Sequence, residues 1–132
     1  VLRSIAGTDP AANTEISETV PTNARWRLHA IQFTLVTGIT GAVQEVALVL
    51  DDGTTAFARV PQGTVQDVSL TRRYCFAHHL PRNTLSQDTT FNAPLPRVDL
   101  QGGFRIGTVT ANLGADDNYG APQLLVEEWI ED

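Results

Sequence analysis

The sequence predicts an all-β protein, a jelly-roll-like antiparallel β-sandwich of about eight strands. Three observations lead there. Apolar residues recur with a period of two along most of the chain, as in VALVLDDGTTAFARVP (46–61), and no stretch sustains the i, i+3, i+4 spacing of a helix. Clusters of Gly, Pro and Asp separate the apolar runs at intervals close to those of a sandwich or barrel. Some neighbouring runs are joined by long connections, which suits Greek-key crossings better than a plain meander. An immunoglobulin-like sandwich fits less well, because a chain with one cysteine lacks the paired cysteines of that fold.

Residues 1–13 are small, polar and broken by Gly7 and Pro10, so they read as an extended arm ahead of a single domain at 14–132. Glu15 to Val20 follows as a short strand stopped by Pro21. Arg25 to Thr37 is the longest strand, with Trp26 and Leu28 on one face and Ile31, Phe33 and Leu35 on the other. A period-two element slips phase in this way when one residue bulges out, so a β-bulge or sharp bend is expected near His29. Gly38 and Gly41 mark the next turn. Val43 to Leu50 is a near-continuous apolar run, the pattern of a strand covered on both faces. Asp51-Asp52-Gly53 supplies a hairpin turn, and Thr55 to Val60 returns as the partner strand, ended by Pro61.

Gln66 to Phe76 alternates, with Val68, Leu70, Tyr74 and Phe76 inward and Arg72 interrupting that row. Residues 77–97 contain Pro81, Pro94 and Pro96 and read as an irregular connection, pinned to the body by Phe91 and Leu95. A connection of that length in a compact domain is often functional. Phe104 to Leu113 is a strand after the Gly102-Gly103 turn, 114–122 is a polar loop, and Gln123 to Ile130 is the last strand.

A chain of 132 residues has room for one domain, and 42% hydrophobic against 18% charged residues is a globular composition. Such a chain buries a core without metal or disulfide staples. The net charge of −6 repels a phosphate backbone, so nucleic acid is not an expected partner. All nine basic residues are arginine, a side chain suited to planar, multidentate contacts at interfaces. No apolar run approaches the roughly 18 residues that span a bilayer, and VLRSIAGTDP lacks the layout of an export signal. A chain starting at Val1 is expected to have lost an initiator methionine or a leader.

Each candidate for chemistry has a plainer explanation. Cys75, His78 and His79 form C-x-x-H-H, with His29 on another strand, but zinc needs three or four donors converging, and adjacent histidines at a strand end point apart. The acidic loop GADDNYG (114–120) offers oxygens for calcium, yet Asp, Asn and Gly are also ordinary turn residues. Of Ser4, Ser17, Ser69 and Ser86, none lies in a G-x-S-x-G elbow. Glu127 and Glu128 are adjacent on a strand and face opposite sides, so they cannot act as a carboxylate pair. Trp26, Trp129, Tyr119 and Phe104 would serve as a sugar-stacking platform only if exposed, and of these Tyr119, in a Gly-flanked loop, is the one expected at the surface. No catalytic, cofactor or metal residue is therefore assigned, and no enzyme activity is expected.

Several segments together carry a resemblance: VPTNARWRLHAIQFTLVT (20–37), VALVLDDGTTAFARVP (46–61) and, from Ala93, APLPRVDLQGGFRIGTVTANLGADDNYGAPQLLVEEWIE. Their order resembles small virion proteins of tailed bacteriophages: a Val-Pro and a Trp before a long strand, an Asp-Gly turn, Pro-Leu-Pro, Gly-aromatic-Arg-Ile, and an acidic-aromatic loop before a Glu-Glu-Trp strand. The resemblance covers most of 19–131 and implies a capsid decoration, or cement, protein. Such a protein would be a homotrimer on the outer head surface, made in the host bacterial cytoplasm, with the major capsid protein as partner and no cofactor. Related β-sandwich modules also occur in fibres and spikes, so a receptor- or carbohydrate-binding role is the alternative. The contact residues expected are Val1, Leu2, Arg3 and Ile5 of the arm, His78, His79 and Arg82 of the long connection, and Tyr119.

Overall fold

The computed structural model describes the whole chain except residues 40, 41, 84, 86, 87 and 132, so Gly41 and Ser86 of the sequence reading lie outside the described residues. Among the described residues there are eleven strands and no helix: β1 (Leu2–Ala6), β2 (Ser17–Thr19), β3 (Ala24–Val36), β4 (Glu45–Asp51), β5 (Ala56–Pro61), β6 (Thr71–Ala77), β7 (Thr90–Pro94), β8 (Asp99–Leu100), β9 (Arg105–Ala111), β10 (Asn118–Tyr119) and β11 (Gln123–Ile130).

The strands form two sheets. One runs β1-β11-β3-β6-β7, with β8 and β10 also paired to β3, and the other runs β2-β9-β4-β5. Leaving out β7, β8 and β10, eight strands remain, and they pair first with last: β1 with β11, β2 with β9, β3 with β6, β4 with β5. That nesting, wrapped into two four-stranded layers, is the jelly roll. Its tip is the β4–β5 turn, where Gly53 takes φ +102°. The Asp52 carboxylate accepts the Thr54 and Thr55 amides at 3.0 and 2.8 Å, and these bonds hold its pKa below the usual carboxylate value.

Alternation fills the space between the layers. Val46, Leu48, Leu50 and Ile106 of the smaller sheet are at most 1% exposed, as are Ile31, Leu35, Tyr74, Phe76 and Val126 of the larger one. Phe91 and Leu95 are buried and pin the long connection, as the pattern requires. The β3 phase slip is a bulge: the register with β11 passes from Leu28↔Val126 to Ala30↔Leu125 and skips His29. Trp26 and Leu28, which alternation alone puts opposite Ile31, Phe33 and Leu35, are thereby returned to the same core.

Three expectations need correction. Residues 2–6 are not a free arm, because β1 pairs with β11 in register from Leu2↔Glu127 to Ala6↔Gln123. Ile5 packs against the core and Arg3 reaches the buried Glu128, so the strand has an inward side that its small, mixed composition concealed. The sandwich is not wholly antiparallel either, since β7 runs parallel to β6. Finally, of the expected 66–76 strand only residues 71–76 belong to β6, which runs on to Ala77. Gln66 instead forms a bridge with Gln44, and its side chain donates to the Leu35 carbonyl at 2.9 Å and accepts from the Tyr74 hydroxyl at 2.9 Å.

Glu128 ties β1 to the body. Its carboxylate, on a residue 6% exposed, accepts Trp26 Nε1 and Arg3 Nη1, each at 2.7 Å. These two bonds, with the Trp26 contribution larger, hold its pKa below the usual carboxylate value. A depressed carboxylate stabilises the fold at neutral pH, and that stability is lost as pH falls through the folded-state value. Urea denaturation of the parent should therefore show a midpoint that drops between about pH 5 and 2. Glu128→Gln should be less stable at pH 7 and should fall less over that range, with the residual slope coming from Asp52 and Asp99, whose carboxyls are also depressed.

Candidate functional site

Several side chains that could meet another molecule lie on the outer face of the larger sheet. Alternation turns Gln123, Leu125, Glu127 and Trp129 of β11 outward, opposite the buried Leu124, Val126 and Glu128. Three depressions lie along this face. Thr34, Thr71, Arg73, Thr89 and Thr90 line one of ≈ 240 Å³. Ser4, Ala30, Gln32, Cys75 and Leu125 are among the lining of a second, of ≈ 180 Å³. The third is the largest at ≈ 620 Å³, and it is lined by His29, His78, His79, Pro94, Leu95 and Arg97.

All three histidines of the chain thus share one cavity. The bulge supplies His29, and the end of β6 supplies His78 and His79 because Ala30 sits opposite Ala77. The His29 and His78 rings meet edge to face, with centroids 5.7 Å apart. His78 Nδ1 lies 3.1 Å from the Leu95 carbonyl, which sets it as the donor in the neutral ring. His78 Nε2 is then a buried acceptor without a hydrogen-bond partner among the described residues. His79 takes φ +61°, a left-handed conformation that few side chains adopt. On the rim, His29 Nε2 is 3.7 Å from a Glu127 oxygen. Beyond it Arg27 holds Asp99 through two bonds of 2.7 and 3.2 Å, and Arg25 and Arg27 cover the Trp129 ring at 5.1 and 5.4 Å. Chemically the cavity offers imidazole and guanidinium hydrogen-bonding groups over an apolar floor, a combination that suits a polar or anionic side chain of a partner.

The C-x-x-H-H motif does not converge. Cys75 lines the neighbouring depression, where burial raises its thiol pKa. Among the described residues no group of three or more His, Cys, Asp or Glu side chains is placed to hold a metal ion. In the acidic loop, Asp117 is 1% exposed and serves the fold: Oδ1 accepts the Gly38 amide at 2.8 Å, and Oδ2 accepts Gln44 Nε2 at 2.6 Å and the Gly114 amide at 2.7 Å.

Tyr119, expected at the surface, is fully buried. Its pairing with Leu35 on β3 turns it inward, where its hydroxyl bonds Thr110 and its ring meets Phe33 edge to face at 5.5 Å. Burial pushes the phenol pKa up. The aromatic platform therefore does not assemble. Trp26 is buried against Glu128, Trp129 lies beneath two arginines, and Phe104 packs on Phe57 at 5.8 Å.

Of the remaining expected contact residues, Val1 and Leu2 are exposed at 76% and 60%, at the edge of this face. Arg3 and Ile5 take the other side of β1, Arg3 on Glu128 and Ile5 against the core. Arg82 sits elsewhere, donating to the Pro61 carbonyl at 2.9 Å beside the smaller sheet. Its segment is held by Gln62, a fully buried residue whose Nε2 donates to the Asn92 carbonyl at 3.0 Å and to Asn83 Oδ1 at 3.2 Å. Asn83 Oδ1 in turn accepts the Asn92 amide at 2.6 Å. Gln62 and Arg97 carry no motif and were not singled out by sequence. For the histidine cavity, the phase slip at His29 was the available signal.

No protein-family model matches the chain, and no curated protein sequence matches it.

Two substitutions test this geometry. Gln62→Ala should speed tryptic cleavage after Arg82 while leaving hydrogen exchange of β3 and β11 unchanged. Asp117→Asn places an amide donor among three N–H donors and should destabilise the fold by about 2 kcal/mol in thermal or urea denaturation.

Proposed function

We propose that the chain is a decoration, or cement, protein of a tailed bacteriophage, binding the outer head surface as a homotrimer and bracing the major capsid protein lattice. The observation that carries this reading is where the chemistry lies: the space between the sheets is filled with apolar side chains, and the unusual residues sit on an outer face. The ordered resemblance across most of 19–131 supports the same role. A negatively charged jelly-roll body supports contact with protein in preference to nucleic acid. A symmetric ring of such bodies would turn modest contacts into firm attachment on a symmetric lattice.

The contact surface in this reading is the outer face of the larger sheet, from Leu2 to the cavity of His29, His78, His79 and Arg97. Tyr119, Arg3 and Ile5 hold the fold and are not part of it. The fibre or spike alternative needs an exposed stacking platform, and burial of Trp26 and Tyr119 weighs against it.

Sedimentation with purified expanded capsids tests the proposal. Saturable binding that raises the melting temperature of the capsid is expected. His78→Ala combined with Arg97→Ala should weaken it by about tenfold or more, whereas Arg59→Ala should not. Absence of capsid binding together with saturable glycan binding would decide for the alternative.

A further inference from the structure

We propose that β1 is an exchangeable strand: it can leave its own β11 and take the same place on the β11 of a second copy of this chain. Exchange of this kind does not depend on the chain's sitting on a capsid.

Strand β1 is an edge strand, and its hydrogen-bonded neighbour is β11. Four of its five residues are exposed, with Ile5 half-buried, so peeling it away uncovers little apolar surface. The chain on its far side is a ready hinge. Gly7 makes a close turn against Pro122, its amide donating to the Pro122 carbonyl at 2.7 Å, and a Cβ there would lie 2.6 Å from the Pro122 ring. The Thr8 amide is held by Glu18 at 3.1 Å, and the next fixed point is the Asn13 amide on the Asp117 carbonyl at 2.8 Å. Between them Asp9, Ala11 and Ala12 are exposed, and Pro10 restricts the chain toward extended forms. Fully extended, residues 7–13 reach roughly 23 Å, enough to deliver β1 to an adjacent molecule.

The vacated edge selects its occupant. Removing β1 leaves the Glu128 carboxylate without its Arg3 partner on a nearly buried residue. A replacement strand must offer a guanidinium opposite Val126 and a medium apolar residue opposite Leu124, the register positions of Arg3 and Ile5. A second copy brings both. Exchange therefore rebuilds every β1 contact across the interface, the condition under which strand swapping is inexpensive, and a ring of copies each donating one strand leaves no β11 edge open.

A cross-linking exchange decides the matter. In a Cys75→Ala background, which removes the thiol beside this site, Ser4→Cys and Leu125→Cys are made in separate chains and mixed, since Ser4 and Leu125 face each other in register. The chain carrying both substitutions is the control and should form an internal disulfide, showing that β1 still seats. On oxidation of the mixture, a heterodimer bridged from position 4 of one chain to position 125 of the other is expected in clear excess over homotypic dimers. Adding Glu128→Gln to both chains should speed its formation by about tenfold, equivalent to about 1.4 kcal/mol at the opening barrier. An intact internal disulfide in the control with only homotypic dimers in the mixture would overturn the proposal.

Discussion

One extra residue in the longest strand organises this molecule. Strand β3 is bonded to β11 and β6 along its length, and its ends are completed by β8 and β10. Side chains on a strand alternate strictly, so thirteen residues in one phase could not turn both Trp26–Leu28 and Ile31–Phe33–Leu35 inward. The bulge at His29 absorbs the odd residue. It sets both halves of the strand on one core, and the same displacement puts an imidazole beside His78 on the outside.

From that constraint the division between inside and outside follows. The inner surfaces are apolar and closed at the ends by satisfied polar groups. Glu15 takes Thr108 Oγ1, Thr110 Oγ1 and the Thr110 amide, each at 2.8 Å, while Asp117 and Gln62 do the same work for the loops. Most buried polar atoms are bonded in this way, which makes these residues framework despite their chemistry-bearing types. The contact surface proposed here is the outer face of the larger sheet, where His78 Nε2 is buried without a hydrogen-bond partner among the described residues and His79 sits in a left-handed conformation.

Much of the fold was legible because its signals are local. Period-two alternation found β3, β4, β5, β9 and β11, turn residues found the β4–β5 tip, and the phase slip found the bulge. The misreadings share a cause: the deciding contact lies far away in sequence. Nothing within residues 1–13 shows that Arg3 will meet Glu128, 125 residues away. Tyr119 looks like a loop residue until β10 pairs with the end of β3. The parallel β7 depends on Gln62 holding Asn83 and Asn92, a polar anchor that leaves no apolar pattern. The histidine cavity was half visible. Sequence named His29, His78 and His79, and only the β3–β6 register brings them together, with Arg97 added by the chain leaving β7.

At the centre of the fold, then, His29 is the surplus residue that the bulge takes out of the alternation. Deleting it, with His29→Ala as the companion variant, tests this most directly by urea denaturation followed at Trp26 and Trp129. His29→Ala is expected to keep a cooperative transition near the parent midpoint. The deletion joins Leu28 to Ala30, so Trp26, Leu28, Ile31, Phe33 and Leu35 alternate on one face with no bulge, and cooperative unfolding should be kept. A deletion variant that loses cooperative unfolding would contradict it.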